Sequence, residues 1–441
     1  MSEGHKAQRH HAPPTPPRKT APRPKIRRYL KLLGPGLITG ASDDDPSGIA
    51  TYSQVGAQFG LGMSWVMLFT YPLMAAIQEI SARIGRVTGE GITANMRRYF
   101  SPWLMRVTVG LLLLANTINL GADLGAMGDA LKLLIGGPAR YYVVLFAVVG
   151  ALVEIFSSYA RYVAILKWIT LFLFAYVGTA LISDVSWGEV ARALVVPRMT
   201  FSRDYLVAIV AVLGTTISPY LFFWQASEEA EDQRVDPKAK PLLETPRKAK
   251  REFRRIRLDT YVGMAFSNVI SLFIIITTAV TLHAHGVTDI ESSAQAAEAL
   301  RPIAGPFAFA IFAIGIIGTG LLAVPVLAAS AAYAVAEAAQ WKTGLGRKPR
   351  EAKAFYGVIA IATLLGMAIN FTEIDPIKAL FWAAVLNGVI AVPVMVAMMT
   401  IAVRPDVMGK FALPASLRWL GWLTTCVMAV TVAAMFLMWG K

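Results

Sequence analysis

Apolar residues run through this chain in stretches of about 20 separated by short polar loops, and that length crosses a hydrocarbon core of roughly 30 Å as a helix. Segments of about ten residues with alternating polarity, which a transmembrane barrel needs, are absent. The pattern predicts an all-α membrane protein with eleven transmembrane helices, at roughly 33–58, 61–84, 104–134, 141–159, 162–183, 204–230, 258–284, 305–340, 354–372, 377–402 and 417–438. Eleven crossings put the termini on opposite sides. With the N-terminus inside, the loops 83–106, 234–257, 342–353 and 404–418 are all cytoplasmic and all basic, while Asp184, Glu189, Asp289, Glu291, Glu298, Glu373 and Asp375 fall on the far side. The expectation is a multi-pass protein of the cell inner (plasma) membrane, set in the lipid bilayer with its N-terminus in the cytoplasm.

Two of the apolar segments carry residues that fit badly in lipid. In the first, Asp43-Asp44-Asp45-Pro46-Ser47-Gly48 interrupts the run at about mid-membrane depth; in the sixth, Gly214-Thr215-Thr216-Ile217-Ser218-Pro219-Tyr220 does the same. Proline removes an amide donor and glycine tolerates unusual backbone angles, so both segments are expected to unwind and free backbone carbonyls. Irregular backbone at membrane depth is tolerated where it lines a cavity, and breaks in spans one and six hold equivalent places in two five-helix halves. The pattern therefore predicts a 5+5 inverted repeat. Its domains are a basic, disordered cytoplasmic tail (1–31), a transporter core of helices 1 to 10 (32–403) and a peripheral eleventh helix (404–441).

Composition narrows the chemistry. The 441 residues are 56% hydrophobic and 16% charged, far more apolar than one soluble core requires. The net charge of +14 sits in tails and loops, where the positive-inside rule accounts for it, so no nucleic-acid partner is expected. Cys426 is the only cysteine, which excludes an intrachain disulfide and a thiolate cluster; no cofactor is expected. The five histidines, His5, His10, His11, His283 and His285, lie in the tail or at one helix end, not where a proton relay would need them.

Asp45 is the first candidate metal ligand, because a carboxylate beside freed carbonyls offers the oxygen donors that hard cations require. The competing reading is a helix cap or an ion pair. Asp43 and Asp44 read equally as a cation-concentrating vestibule or as caps of the unwound segment, and Asp44 is counted among the candidate metal residues. Ser218, with Thr215 beside it, is either a ligand or the hydroxyl that satisfies a proline kink. Asp123 and Asp129 on the third span and Asn387 on the tenth can hold the ion through water or act as polar glue between helices. The acidic run Glu228-Glu229-Ala230-Glu231-Asp232 closes the sixth span as an exit funnel or a solvated end, with the solvated end preferred.

Gly34-Pro35-Gly36 followed by Asp45-Pro46-Ser47-Gly48-Ile49-Ala50-Thr51 resembles the first helix of the Nramp divalent-metal transporters, whose signature there is Asp-Pro-Gly-Asn. The run from Gly214 to Tyr220 occupies the place of that family's Met-Pro-His. The resemblance spans about 32–403 and implies the leucine-transporter-type fold. Asp45 then matches the metal-binding aspartate, Gly48 stands where the family has asparagine, Ser218 where it has methionine, and Tyr220 where it has histidine. Gln225 falls near a second histidine position, and Leu120 stands where the proton route has an acid. These departures are similar to the Nramp-related magnesium transporters, a divergent branch without proton coupling. Replacing a thioether by Ser218 removes the preference for softer ions, and replacing asparagine by Gly48 is expected to enlarge the cavity, which suits partly hydrated Mg2+.

The expected function is uncoupled uptake of a divalent metal ion, Mg2+ first and also Mn2+, by alternating access, with no enzymatic activity. The alternative is a proton-coupled Mn2+ or Fe2+ importer of the ordinary Nramp kind. A channel differs from an uncoupled transporter in kinetics more than in residues. A remote alternative is an intramembrane Mg-dependent prenyltransferase, which requires a second aspartate-rich cluster that no other span carries.

Overall fold

The computed structural model describes residues 35–156, 170–235, 239–372 and 374–439. The predicted tail at 1–31 lies outside them. Every regular element among the described residues is helical. The first predicted span is two helices, α1 (Pro35–Asp43) and α2 (Pro46–Phe59), parted at Asp44 and Asp45. Then follow α3 (Trp65–Thr88), α4 (Ile92–Tyr99), α5 (Pro102–Ile135), α6 (Ala139–Phe156), α7 (Phe174–Ile182) and α8 (Trp187–Val195). The sixth predicted span is likewise split, into α9 (Arg203–Thr216) and α10 (Pro219–Val235); α11 (Ala249–Thr281), α12 (Ala308–Ala338), α13 (Lys353–Ile369), α14 (Pro376–Val403) and α15 (Ala415–Trp439) complete the bundle.

Both breaks fall where the sequence places them, and each second half starts with proline at its first turn, where the missing amide costs nothing. Among the described residues six helices are long and apolar enough to cross a membrane, or up to eight when bent pairs count as one span. The predicted eleven is not reached by this count for physical reasons. The first span is split into short pieces, Lys353–Ile369 falls among shorter apolar helices, and part of the fifth predicted span lies outside the described residues. Predicted loops also hold helices: α4 is a short amphipathic helix after α3, and α8 folds back from the preceding span at 116°.

One unbroken helix, α11, backs the whole of the broken first span. Residues at intervals of four share a helix face, and on that face Asp259, Gly263, Ser267, Ser271 and Ile275 meet the first span in order. Asp259 accepts from the Gly36 amide at 2.8 Å. A Cβ on Gly40 would lie 2.3 Å from the Gly263 carbonyl, so the two backbones touch and position 40 admits no side chain. Ser267 and Ser271 reach the break itself. The stripe is small and polar because the partner helix, having lost its own hydrogen bonds, needs donors and close support there.

Candidate metal site

Pro46 has no amide proton, so the Ser42 carbonyl, four residues back, loses its helical donor. The Tyr220 hydroxyl replaces it from the other broken helix, donating to Ser42 O at 2.8 Å. Pro219 frees the Thr215 carbonyl in the same way. There the replacement is local: Ser218 Oγ lies 2.7 Å from Thr215 O and 2.8 Å from Gly214 O. Each carbonyl keeps a second lone pair for an ion.

Asp45 sits between these breaks and is 2% exposed. Its backbone is extended, at φ −68° and ψ 171°, and Oδ1 accepts from the Gly48 amide at 2.7 Å, so it does cap α2. Oδ2 faces away from the cap, 3.2 Å from Asn119 Nδ2 on α5 and 3.3 Å from the Tyr220 hydroxyl. The cap and ligand readings are thus compatible, because different oxygens serve them. Asn119 is the hub. Its amide also lies 3.4 Å from Asp123 Oδ2, and its carbonyl oxygen accepts from Asn387 Nδ2 of α14 at 3.1 Å. Asp123 Oδ1 and Asn387 Oδ1 are buried with no partner, oriented acceptors of the kind that an ion or its water would fill.

The structure therefore brings Asp45, Asp123 and Asn387 into one network with Tyr220, and sets Thr215 and Ser218 at the facing break. Gly48 faces Thr215. A Cβ there would meet Asp43 O at 3.1 Å and both Thr215 Oγ1 and the Tyr52 ring at 3.3 Å. That corrects the expectation of an enlarged cavity at Gly48, since the volume vacated by an asparagine is filled by Thr215 and Tyr52.

Other expectations also change. Asp44 turns to α11, where Oδ1 is 3.0 Å from Ser267 Oγ and 3.3 Å from Ser271 Oγ. It is neither a cap nor a vestibule residue. Asp129 leaves the centre to pair with Lys132 at 3.9 Å. Gln225 bonds Thr260 Oγ1 at 3.0 Å on the far side of α10. The acidic run at the end of α10 is only partly a solvated end: Asp232 is exposed, but Glu229 and Glu231 are buried. Glu229 is 1% exposed and ion-paired with Arg255, Arg86 bonds Glu252 at 2.9 Å, and Glu231 is held by Tyr333 and the amides of Leu345 and Gly346. These contacts tie α10 to α3, α11 and the loop after α12.

The opposite, α2 side is open. A cavity of about 440 Å³, lined by Ala50, Gln54, Asp204, Asp289 and Trp382 among others, reaches Ala50. Ala50 is five residues past Asp45, roughly 7.5 Å along a helix. Sequence reasoning gave no role to Asn119, Ser267 or Ser271. The available signal was polar residues four apart, Asn119 with Asp123 and Ser267 with Ser271, in otherwise apolar helices.

The arrangement is matched elsewhere. The family model described as Nramp, natural resistance-associated macrophage protein-like, matches residues 36–438. The divalent metal cation transporter MntH of Deinococcus radiodurans is 26% identical over 422 residues, 94% of this chain and 91% of that protein. MntH of Yersinia enterocolitica is 26% identical over 309 residues, 68% of this chain and 71% of that one. Among solved structures, a mutant of the manganese transporter of Eremococcus coleocola superposes with a TM-score of 0.71 at 16% identity, covering 93% of this chain and 87% of that one. MhsT in complex with L-phenylalanine gives 0.61 at 12% identity, with 90% and 98% covered. The prenyltransferase reading falls with these matches, and the chain is not an enzyme. With two helices broken at mid-span, an aspartate at the first break and a family match over nearly its whole length, this chain belongs to the Nramp family.

Proposed function

We propose that this chain transports divalent metal ions from a site at Asp45, with Mg2+ preferred over Mn2+, by alternating access and without a coupled proton. The observation that carries the reading is the donor set. The Asp45 carboxylate, held by hydrogen bonds from the Asn119 amide and the Tyr220 hydroxyl, faces the hydroxyls and carbonyls of Thr215 and Ser218, so the groups offered to an ion are oxygens. Oxygen donors suit Mg2+, which keeps part of its water and gains little from sulfur. Asp45 is the direct ligand, Asp123 and Asn387 act through Asn119 or through water, and Ser218 and Thr215 complete the far wall. These departures are those of the Nramp-related magnesium branch. The relatives' names, divalent metal cation transporter and manganese transporter, support the ion class and make Mn2+ the competitor.

No proton is required energetically. Two charges crossing 100 mV yield about 4.6 kcal/mol, twice the single-charge value of about 2.3. With the basic loops read as cytoplasmic, the locked α10 end faces inward and the cavity at Ala50 is the proposed entry from outside. Proton-coupled Mn2+ or Fe2+ transport draws on one observation, the unpartnered Asp123 Oδ1 beside the site. Flux of Mg2+, Mn2+ and Ca2+ into proteoliposomes with an internal pH dye separates the two readings. The expected result is Mg2+ entry with no metal-dependent acidification at clamped potential. Acidification that needs both protein and metal overturns the uncoupled reading, and Mn2+ flux well above Mg2+ overturns the ranking.

A further inference from the structure

Asp43 and Asp44 are each 1% exposed. Among the described residues neither forms an ion pair. Two adjacent carboxyl groups in that setting do not both stay ionised unaided, because an uncompensated buried charge costs several kcal/mol: they hold protons, or a cation neutralises them. The hydrogen bonds present do not cover the charge. Ser267 Oγ lies 2.6 Å from Asp43 Oδ2 and 3.0 Å from Asp44 Oδ1, but a hydroxyl has one hydrogen and can serve only one of them. Ser271 Oγ stands 3.0 Å from the Ser267 carbonyl and 3.3 Å from Asp44 Oδ1, so its hydrogen too is contested. Two hydroxyl hydrogens serve at most two of these four contacts, so at least two receive no hydrogen from the serines.

A separate observation points into the same place. The Tyr52 side chain is fully buried close to both carboxyl groups, and its hydroxyl makes no hydrogen bond of ordinary geometry, Ser271 being the group within its reach. Asp43 Oδ1 and Asp44 Oδ2 are likewise buried without partners. Between α1 and α11 the fold thus gathers two carboxyl groups, two serine hydroxyls and a phenol, all oxygen.

We infer that Asp43, Asp44, Ser267 and Ser271, with Tyr52 at the edge, form a second cation site that takes a hard divalent ion. Oxygen-only donors suit hard ions such as Mg2+ and also admit Mn2+, and two carboxylates neutralise a double charge. One ion bridging both carboxylates also explains why they share Ser267. The site goes beyond the transport reading, which needs only Asp45.

The test is equilibrium binding of Mn2+ to the purified full-length protein, read by electron paramagnetic resonance of free and bound ion. Two bound ions per chain are expected. Asp44→Asn should leave one, with affinity at the remaining site within about threefold, and Asp45→Ala should also leave one. If Asp44→Asn does not fold, Ser267→Ala should weaken one of the two affinities about tenfold and leave the other. A single ion in the wild type that is lost in Asp45→Ala overturns the second site, as does a stoichiometry of two that neither Asp44→Asn nor Ser267→Ala alters. A single ion kept in Asp45→Ala but lost in Asp44→Asn supports the second site and overturns the reading of Asp45 instead.

Discussion

At the first break the Ser42 carbonyl freed by Pro46 is satisfied by Tyr220, a residue of the other broken helix; at the second, the Thr215 carbonyl freed by Pro219 is satisfied by Ser218 of its own chain segment. The first break carries three carboxylates and the second none. A break closed locally keeps its shape whatever its neighbour does. One closed across the bundle holds only while the two broken helices stay in register. Charge and dependence are therefore concentrated at the first break, and the second serves it as a preformed wall. Four substitutions challenge this asymmetry, beginning where the effect should be greatest.

Asp45→Ala removes the carboxylate of the first break that contacts Tyr220 of the second. Flux of Mg2+ and Mn2+ into proteoliposomes should fall at least about 100-fold. Loss of the α2 cap costs about 1 kcal/mol and should leave a folded protein with a modestly lower melting temperature. Flux near the wild-type level would end the assignment of the first break as the ion site.

Tyr220→Phe deletes the link between the breaks while keeping the ring. The Ser42 carbonyl loses its donor, and Asp45 loses a neighbour at 3.3 Å. Hydrogen bonds between membrane helices are worth about 0.6 to 1.7 kcal/mol, so stability should drop within that range. Flux should fall about tenfold because the first break is no longer held against α10. A variant that loses stability but keeps full flux would show that the two breaks work independently.

Ser218→Met tests the wall. A thioether at the second break should raise the Mn2+ to Mg2+ flux ratio about tenfold, since sulfur favours the softer ion. Gly48→Asn is the wrong companion for it. The new Cβ would press on the Asp43 carbonyl at 3.1 Å, and that change should lower flux of both ions without shifting their ratio. An unchanged ratio in Ser218→Met would remove Ser218 from the site.

The breaks themselves were legible because Asp45-Pro46 and Ser218-Pro219 interrupt apolar runs, and neither an unpaired carbonyl nor a carboxylate belongs in lipid without a purpose. Asp45, Asp123 and Asn387 stood out as candidates for the same reason, as polar groups inside apolar runs. What could not be read is which polar groups meet. Asn119 and Asp45 lie 74 residues apart, and Ser267 lies 224 from Asp43; only the packing of α5 and α11 against the first span joins them. The acidic run at the end of α10 misled in the same way. Its partners, Arg86, Arg255 and the amides after α12, come from three other places in the chain, so a buried lock reads as a solvated end until the bundle is assembled.

Ser218→Ala should have the smallest effect of the four, and it is the sharpest check on local closure. The serine hydrogen points back along its own helix, shared between the Gly214 and Thr215 carbonyls, so the hydroxyl can offer an ion only a lone pair. Removing it leaves the Thr215 carbonyl short of a donor, at a cost of about 1 kcal/mol. A water molecule entering the space of the lost hydroxyl can recover part of that, because the break already lines the ion path. Mg2+ flux should therefore stay within about threefold of wild type and the ion ratio should not move, in contrast to Tyr220→Phe. The measurement is flux and thermal stability of both variants in one preparation. If Ser218→Ala loses more flux than Tyr220→Phe, the second break is the one that governs the ion, and the division of labour argued from the two freed carbonyls is reversed.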